Sequence, residues 1–124
     1  MSGVLDRSVP KDWIPEIARK FATMFKNDKE WWQNYFFTAQ DSTANQMIGE
    51  LKLNDKQMLK MKEFVHVALR DVYYHILRGL DGAGNIGGVQ QIYEIYDENE
   101  KLISDCGDLE AAAYEVFYGD EDNA

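Results

Sequence analysis

At Leu80 the sequence changes its period, and few folds accommodate the change. Before it, Met58, Met61, Val65, Leu69, Val72, Ile76 and Leu80 recur at helical spacing, and Ala68, Tyr73 and Leu77 widen the stripe. This pattern predicts a helix from about Lys56 to Leu80, roughly 37 Å long at 1.5 Å per residue, capped by Asn54-Asp55 and crossing the middle of the core. After it, Asp81-Gly82-Ala83-Gly84-Asn85-Ile86-Gly87-Gly88 carries too many glycines to remain helical. Val89 to Tyr96 then alternates, with Val89, Gln91, Tyr93 and Ile95 on one side and Gln90, Ile92, Glu94 and Tyr96 on the other.

The chain must therefore join a long helix to extended structure. Asp97 to Glu100 reads as a turn and Lys101 to Ser104 as the returning strand, which predicts one β-hairpin. Asp108 caps a last helix that turns Leu109, Ala112, Ala113, Val116 and Phe117 inward. Upstream, Ser8-Val9-Pro10 marks a helix start, and Trp13, Ile17, Phe21, Met24 and Phe25 follow at helical spacing. Asn27-Asp28 reads as a break, with a second helix over 29–39 and a short one opened by Asp41-Ser42-Thr43. The expected fold class is α+β. It is a mainly helical single domain over 1–124, with a long central helix and one C-terminal β-hairpin followed by a short helix. Residues 1–8 form a loose arm and residues 119–124 an acidic, disordered tail.

The charge is unevenly placed. Residues 1–80 hold 12 Lys/Arg against 10 Asp/Glu, whereas residues 81–124 hold one cation, Lys101, against 12 acids. The formal net charge of −9 argues against a nucleic-acid backbone as partner, because phosphate contact needs a basic surface. No apolar run approaches the roughly 20 residues of a membrane span. The first eleven residues have no signal-peptide pattern, and the lone Cys106 cannot form an internal disulfide. A cytoplasmic location with no membrane association is expected.

No catalytic residue, cofactor or metal is expected. Gly82 to Gly87 matches G-x-G-x-x-G, but a helix precedes it and a strand follows, the reverse of a phosphate-binding turn, so it reads as a flexible connection. His66 and His75 lie nine residues apart, on opposite faces of one helix, and read as surface pairs with Glu63, Arg70 and Asp71. Cys106 sits between Asp105 and Asp108, whose charge raises a thiol pKa. On 29–39, Trp31, Trp32, Tyr35 and Phe36 make an aromatic face that reads as core. Phe37 and one tryptophan at its rim leave a partner contact as the alternative.

Leu77-Arg78-Gly79-Leu80-Asp81-Gly82, Ile86-Gly87-Gly88-Val89-Gln90, Tyr96-Asp97-Glu98 and Leu109-Glu110, with Tyr114 and Phe117, together resemble a family of small uncharacterised bacterial proteins. The resemblance implies a bacterial, cytoplasmic protein and carries over no functional residue. The expected function is a protein-binding or inhibitor protein of toxin-immunity type that meets a basic protein partner. Glu94, Asp97, Glu98, Glu100 and Asp105 are the candidate contact residues. The alternative is a small-molecule-binding module or enzyme with a pocket near the glycine loop 82–88.

Overall fold

The computed structural model describes residues 13–105 and 107–122. The arm expected over 1–8, the helix start at Ser8-Val9-Pro10 and Cys106 lie outside these. The fold is α+β: helices α1 (Glu16–Thr38), α2 (Thr43–Glu50) and α3 (Asp55–Leu80), strands β1 (Asn85–Ile86) and β2 (Val89–Gln90), and helix α4 (Asp108–Asp122). It forms two compact units. Among the described residues, one comprises those up to Met24 together with those from Tyr74 onward, and the other is Phe25–Tyr73. Helices α1 and α3 each run through both.

Two expectations about the first helix are corrected. It starts at Glu16, where Ala18 and Arg19 donate to the Pro15 carbonyl. Pro15 lacks an N–H and pushes Ile14 towards extended backbone, and Trp13, expected within the helix, lies outside it, exposed. Nor does the helix break at Asn27-Asp28. Both residues are exposed, and without Gly or Pro a capping signal is too weak to interrupt a continuing helix.

The core of the first unit consists of Ile14, Ala18, Ala22, Leu77, Ile103, Leu109, Ala112, Ala113 and Phe117, all buried. Alanines supply the buried α1 positions and two of those on α4. Arg19 makes a two-pronged ion pair with Glu115 (2.7 and 3.1 Å). Tyr74 meets Tyr114 and Tyr118 edge to face. Arg78 Nε donates to Glu110 at 2.8 Å.

Helix α3 ends in a Schellman motif. Ala83 N donates to Arg78 O and Gly82 N to Gly79 O, both at 3.1 Å, with Gly82 at φ +80°. A Cβ on Gly82 would also lie 3.1 Å from Ile92 Cγ1. Asp81 is buried and accepts a hydrogen bond from Glu110 N at 3.0 Å, tying the end of α3 to the first turn of α4. Its Oδ1 has no hydrogen-bond partner among the described residues.

The glycine segment, expected to be a flexible connection, is instead the hairpin. Asn85 pairs with Gln90 and Ile86 with Val89, antiparallel, around Gly87-Gly88. Consecutive positive φ values of 62° and 84° make this a type I′ turn. Ile86 packs on Gly79, where a Cβ would collide with it. The hairpin expected from 89–96 and 101–104 contracts to one bridge, Tyr96–Leu102, flanked by Ile103 N to Ile95 O at 2.7 Å and Asp97 N to Lys101 O at 3.0 Å. Helix α4 turns Leu109, Ala112, Ala113 and Phe117 inward, with Val116 half-buried. It runs on to Asp122, so residues 119–122, expected to be part of a disordered tail, are helical.

The second unit is assembled by caps. Ser42 accepts from Asn45 N at the start of α2. Asn54 and Gln57 exchange backbone and side-chain bonds in a capping box at the start of α3 (2.8 and 3.0 Å). The Asn45 amide donates to the Phe36 carbonyl at 3.0 Å. Within Phe25–Tyr73, only Lys29 and Ser42 are fully buried. Of the stripe of α3 only Leu77, near the C-terminal end, is buried, and the rest is half-buried or, at Val72, exposed, so the expected passage of this helix through the middle of the core is corrected.

Leu77→Ala should therefore cost about 2–5 kcal/mol by denaturant unfolding, and Val72→Ala less than about 1 kcal/mol. Equal costs would place the load along the whole stripe.

Asp81 generates a pH prediction. Burial raises its pKa, the Glu110 and Gly107 N–H groups oppose this, and the negative charges of Glu110 and Asp108 add to the rise. The folded state thus holds this proton more tightly than the unfolded state. The contribution of Asp81 is most favourable below the ordinary carboxylate pKa and is lost as pH rises through the raised folded value. The stability difference between wild type and Asp81→Asn should accordingly fall as pH increases above about 4. A difference that grows with pH would mean that the ionised carboxylate is the stabilising form.

Candidate functional site

The candidate contact residues lie on the segment between β2 and α4. From Ile92 to Asp97 exposure alternates: Tyr93, Ile95 and Asp97 are half-buried, while Ile92, Glu94 and Tyr96 are exposed. The side assignment expected for this stretch is therefore kept although only one bridge forms. Ser104 explains how. Its buried hydroxyl accepts from Ile95 N and donates to Tyr93 O, each at 2.9 Å, taking the place of the next ladder pair.

The five carboxylates have different roles. Asp97 Oδ1 accepts from Asn99 N (2.8 Å) and Lys101 N (2.9 Å), and Asp97 O accepts from Glu100 N (3.0 Å). It builds the turn and is half-buried. Glu94 accepts from the Tyr96 hydroxyl at 2.7 Å, and this bond, with the charge of Glu94, pushes the phenol pKa up. Glu98 and Glu100 are exposed, and their carboxylates have no hydrogen bond or ion pair among the described residues. Glu100 holds the turn's left-handed position at φ +63°. Asp105 is exposed, and its charge raises the pKa of Asp108 after burial has done so.

Large apolar side chains share this segment. Ile92 is 79% exposed and Tyr96 51%, with Ile86, Val89 and Leu102 also exposed. No sequence argument singled these out. In the sequence Val89, Ile92, Tyr96 and Leu102 read only as strand residues and Ile86 as part of the glycine connection.

In the second unit the aromatic face expected to be core is largely uncovered. Trp31 is 56% and Trp32 38% exposed, and the rings pack on one another. Trp31 stacks on Tyr35 with centroids 5.1 Å apart and planes 10° apart, and Trp32 meets Tyr35 edge to face. Beside them a hollow of about 350 Å³ is lined by Glu30, Gln33, Asn34, Phe37, Thr38 and Lys62, with Lys62 Nζ 5.8 Å from the Phe37 ring centre. Buried Lys29 donates to His66 Nδ1, so a neutral His66 carries its proton on Nε2. On the same helix Lys60 meets Glu63 and Arg70 meets Asp71. Burial and the Asp28 carboxylate, 2.7 Å away, push the Tyr73 phenol up to about 12.

Among the described residues no cluster of three or more His, Cys, Asp or Glu is placed to hold a metal, and no helix is long and apolar enough to cross a membrane. No protein-family model, curated protein or solved structure matches the chain.

The division of roles among the acids is testable by thermal or denaturant unfolding. Asp97→Ala removes two hydrogen bonds to backbone donors and should cost about 1–2 kcal/mol. Glu98→Ala should change stability by less than about 0.5 kcal/mol. A harmless Asp97→Ala would show that the turn forms without its side chain.

Proposed function

We propose that this chain is a small protein-binding protein of the inhibitor or immunity type, whose basic protein partner docks on residues 86–105. One observation carries the reading: the exposed carboxylates of Glu94, Glu98 and Glu100 stand on the same short segment as the exposed side chains of Ile92, Tyr96 and Leu102. Acids alone would serve solubility. Apolar side chains left in water beside them do not, and such a mixture suits a partner that brings cations and an apolar patch together. Lys101 is the segment's one cation. Asp97 is excluded from the contact set because its carboxylate is engaged in the turn.

The alternative of a pocket near residues 82–88 gains nothing from the geometry. Ile86 packs on Gly79 and Ile92 lies against Gly82, which favours the surface reading. The exposed Trp31 and Trp32, packed on the half-buried Tyr35, favour a second contact surface on the other unit, since aromatic side chains dominate interface centres.

The test is a pull-down from native lysate at low salt, followed by association kinetics for the wild type and for Glu94→Gln/Glu98→Gln/Glu100→Gln. The expected result is a basic partner whose association slows with salt, and more slowly for the variant with little loss of stability. An acidic partner, or one that binds the variant equally fast, overturns the reading.

A further inference from the structure

We infer that the partner's contact is an extended, lysine- or arginine-bearing segment that adds as a strand along residues 92–96. This rests on the function proposed above and specifies how binding occurs. In an extended chain the N–H and C=O groups of alternate residues point to the same edge. Tyr93 O, Ile95 N, Ile95 O and Asp97 N are all engaged with the returning arm at Ser104, Ile103 and Lys101. The N–H and C=O groups of Ile92, Glu94 and Tyr96 therefore point to the opposite edge. Among the described residues none of them has a backbone hydrogen-bond partner.

The side chains complete the template. Ile92, Glu94 and Tyr96 stand exposed in one row, an apolar residue, an acid and an aromatic. A strand pairing here meets them at every second residue, so it is matched by alternating apolar and cationic side chains. The carboxylates also select among occupants. A second copy of this chain pairing edge to edge would bring Glu94, Glu98 and Glu100 against their own kind, and like charges facing across a sheet repel. A basic strand turns the same charges into attraction.

The probe is an eight-residue peptide of alternating lysine and valine, compared with the same peptide N-methylated at the amides of one edge and with a helix-forming peptide of equal charge. Affinity is measured by fluorescence anisotropy at low salt and amide hydrogen exchange by NMR. The expected result is slowed exchange at Ile92, Glu94 and Tyr96 with the unmodified peptide. At least a tenfold loss of affinity is expected on N-methylation, and weak binding of the helical peptide. Equal binding of all three peptides, weakened by Glu94→Gln/Glu98→Gln/Glu100→Gln, would overturn strand addition and leave the basic-partner reading standing. Failure of all three to bind, or binding that the triple variant does not weaken, would overturn both.

Discussion

Everything after residue 80 depends on how α3 ends. A helix that simply frayed would leave the last third of the chain without direction. Here the Schellman bonds close the last turn on Gly82, which can hold φ +80° because it has no Cβ. Leu77 and Gly79 are the two residues α3 buries. Leu77 lies in the core shared with α4, and Gly79 gives the space that Ile86 fills. Asp81 then reaches the first turn of α4. Four positions within six residues, Leu77, Gly79, Asp81 and Gly82, thus tie the hairpin and the last helix to the end of α3. The arrangement tolerates a buried carboxylate with one oxygen unbonded among the described residues, and burial raises its pKa.

Features carried by single residues were legible in the sequence. The caps at Ser42 and Asn54 and the turn at Asp97 each follow from one side chain's preference for its own backbone neighbourhood, and the stop after Leu80 follows from the freedom of Gly82 to take a positive φ. Features that depend on competition were not. Asn27-Asp28 looks like a break in isolation, but a helix already running needs a stronger breaker. Gly87-Gly88 is a type I′ signal, yet the longer alternation of 89–96 outweighed a hairpin with two-residue arms. Ser104 completing a ladder through its hydroxyl is a long-range coincidence that no local pattern encodes. Period 2 still placed Ile92, Glu94 and Tyr96 on one side, because extended backbone imposes that alternation whether or not a ladder follows.

Burial was the least legible property. A stripe at helical spacing shows that a face is apolar, not how well it is covered. In α3 the same stripe is fully buried only at its C-terminal end. In α1 the alanines at 18 and 22 are fully covered, whereas Trp31 and Trp32, far more apolar in area, are not. Small residues are buried because neighbouring backbone can close over them. Two consecutive turns of large rings need more covering surface than a 49-residue unit supplies, so the rings shield one another.

The same reasoning separates the acids, which composition lumps together. A carboxylate that organises backbone donors, as Asp81 and Asp97 do, is explained by the fold and its removal disturbs the fold. A carboxylate such as Glu98 or Glu100 contributes nothing local and adds repulsion to a turn already crowded with negative charge. Solubility accounts for such groups anywhere on the surface. It does not account for their being on the segment where apolar side chains and outward-facing backbone groups are also left exposed. Exposed backbone edges are ordinarily protected from self-pairing by charge. A charge that excludes like strands admits opposite ones, so the recognition of a basic strand proposed above would follow from the same carboxylates that protect the edge.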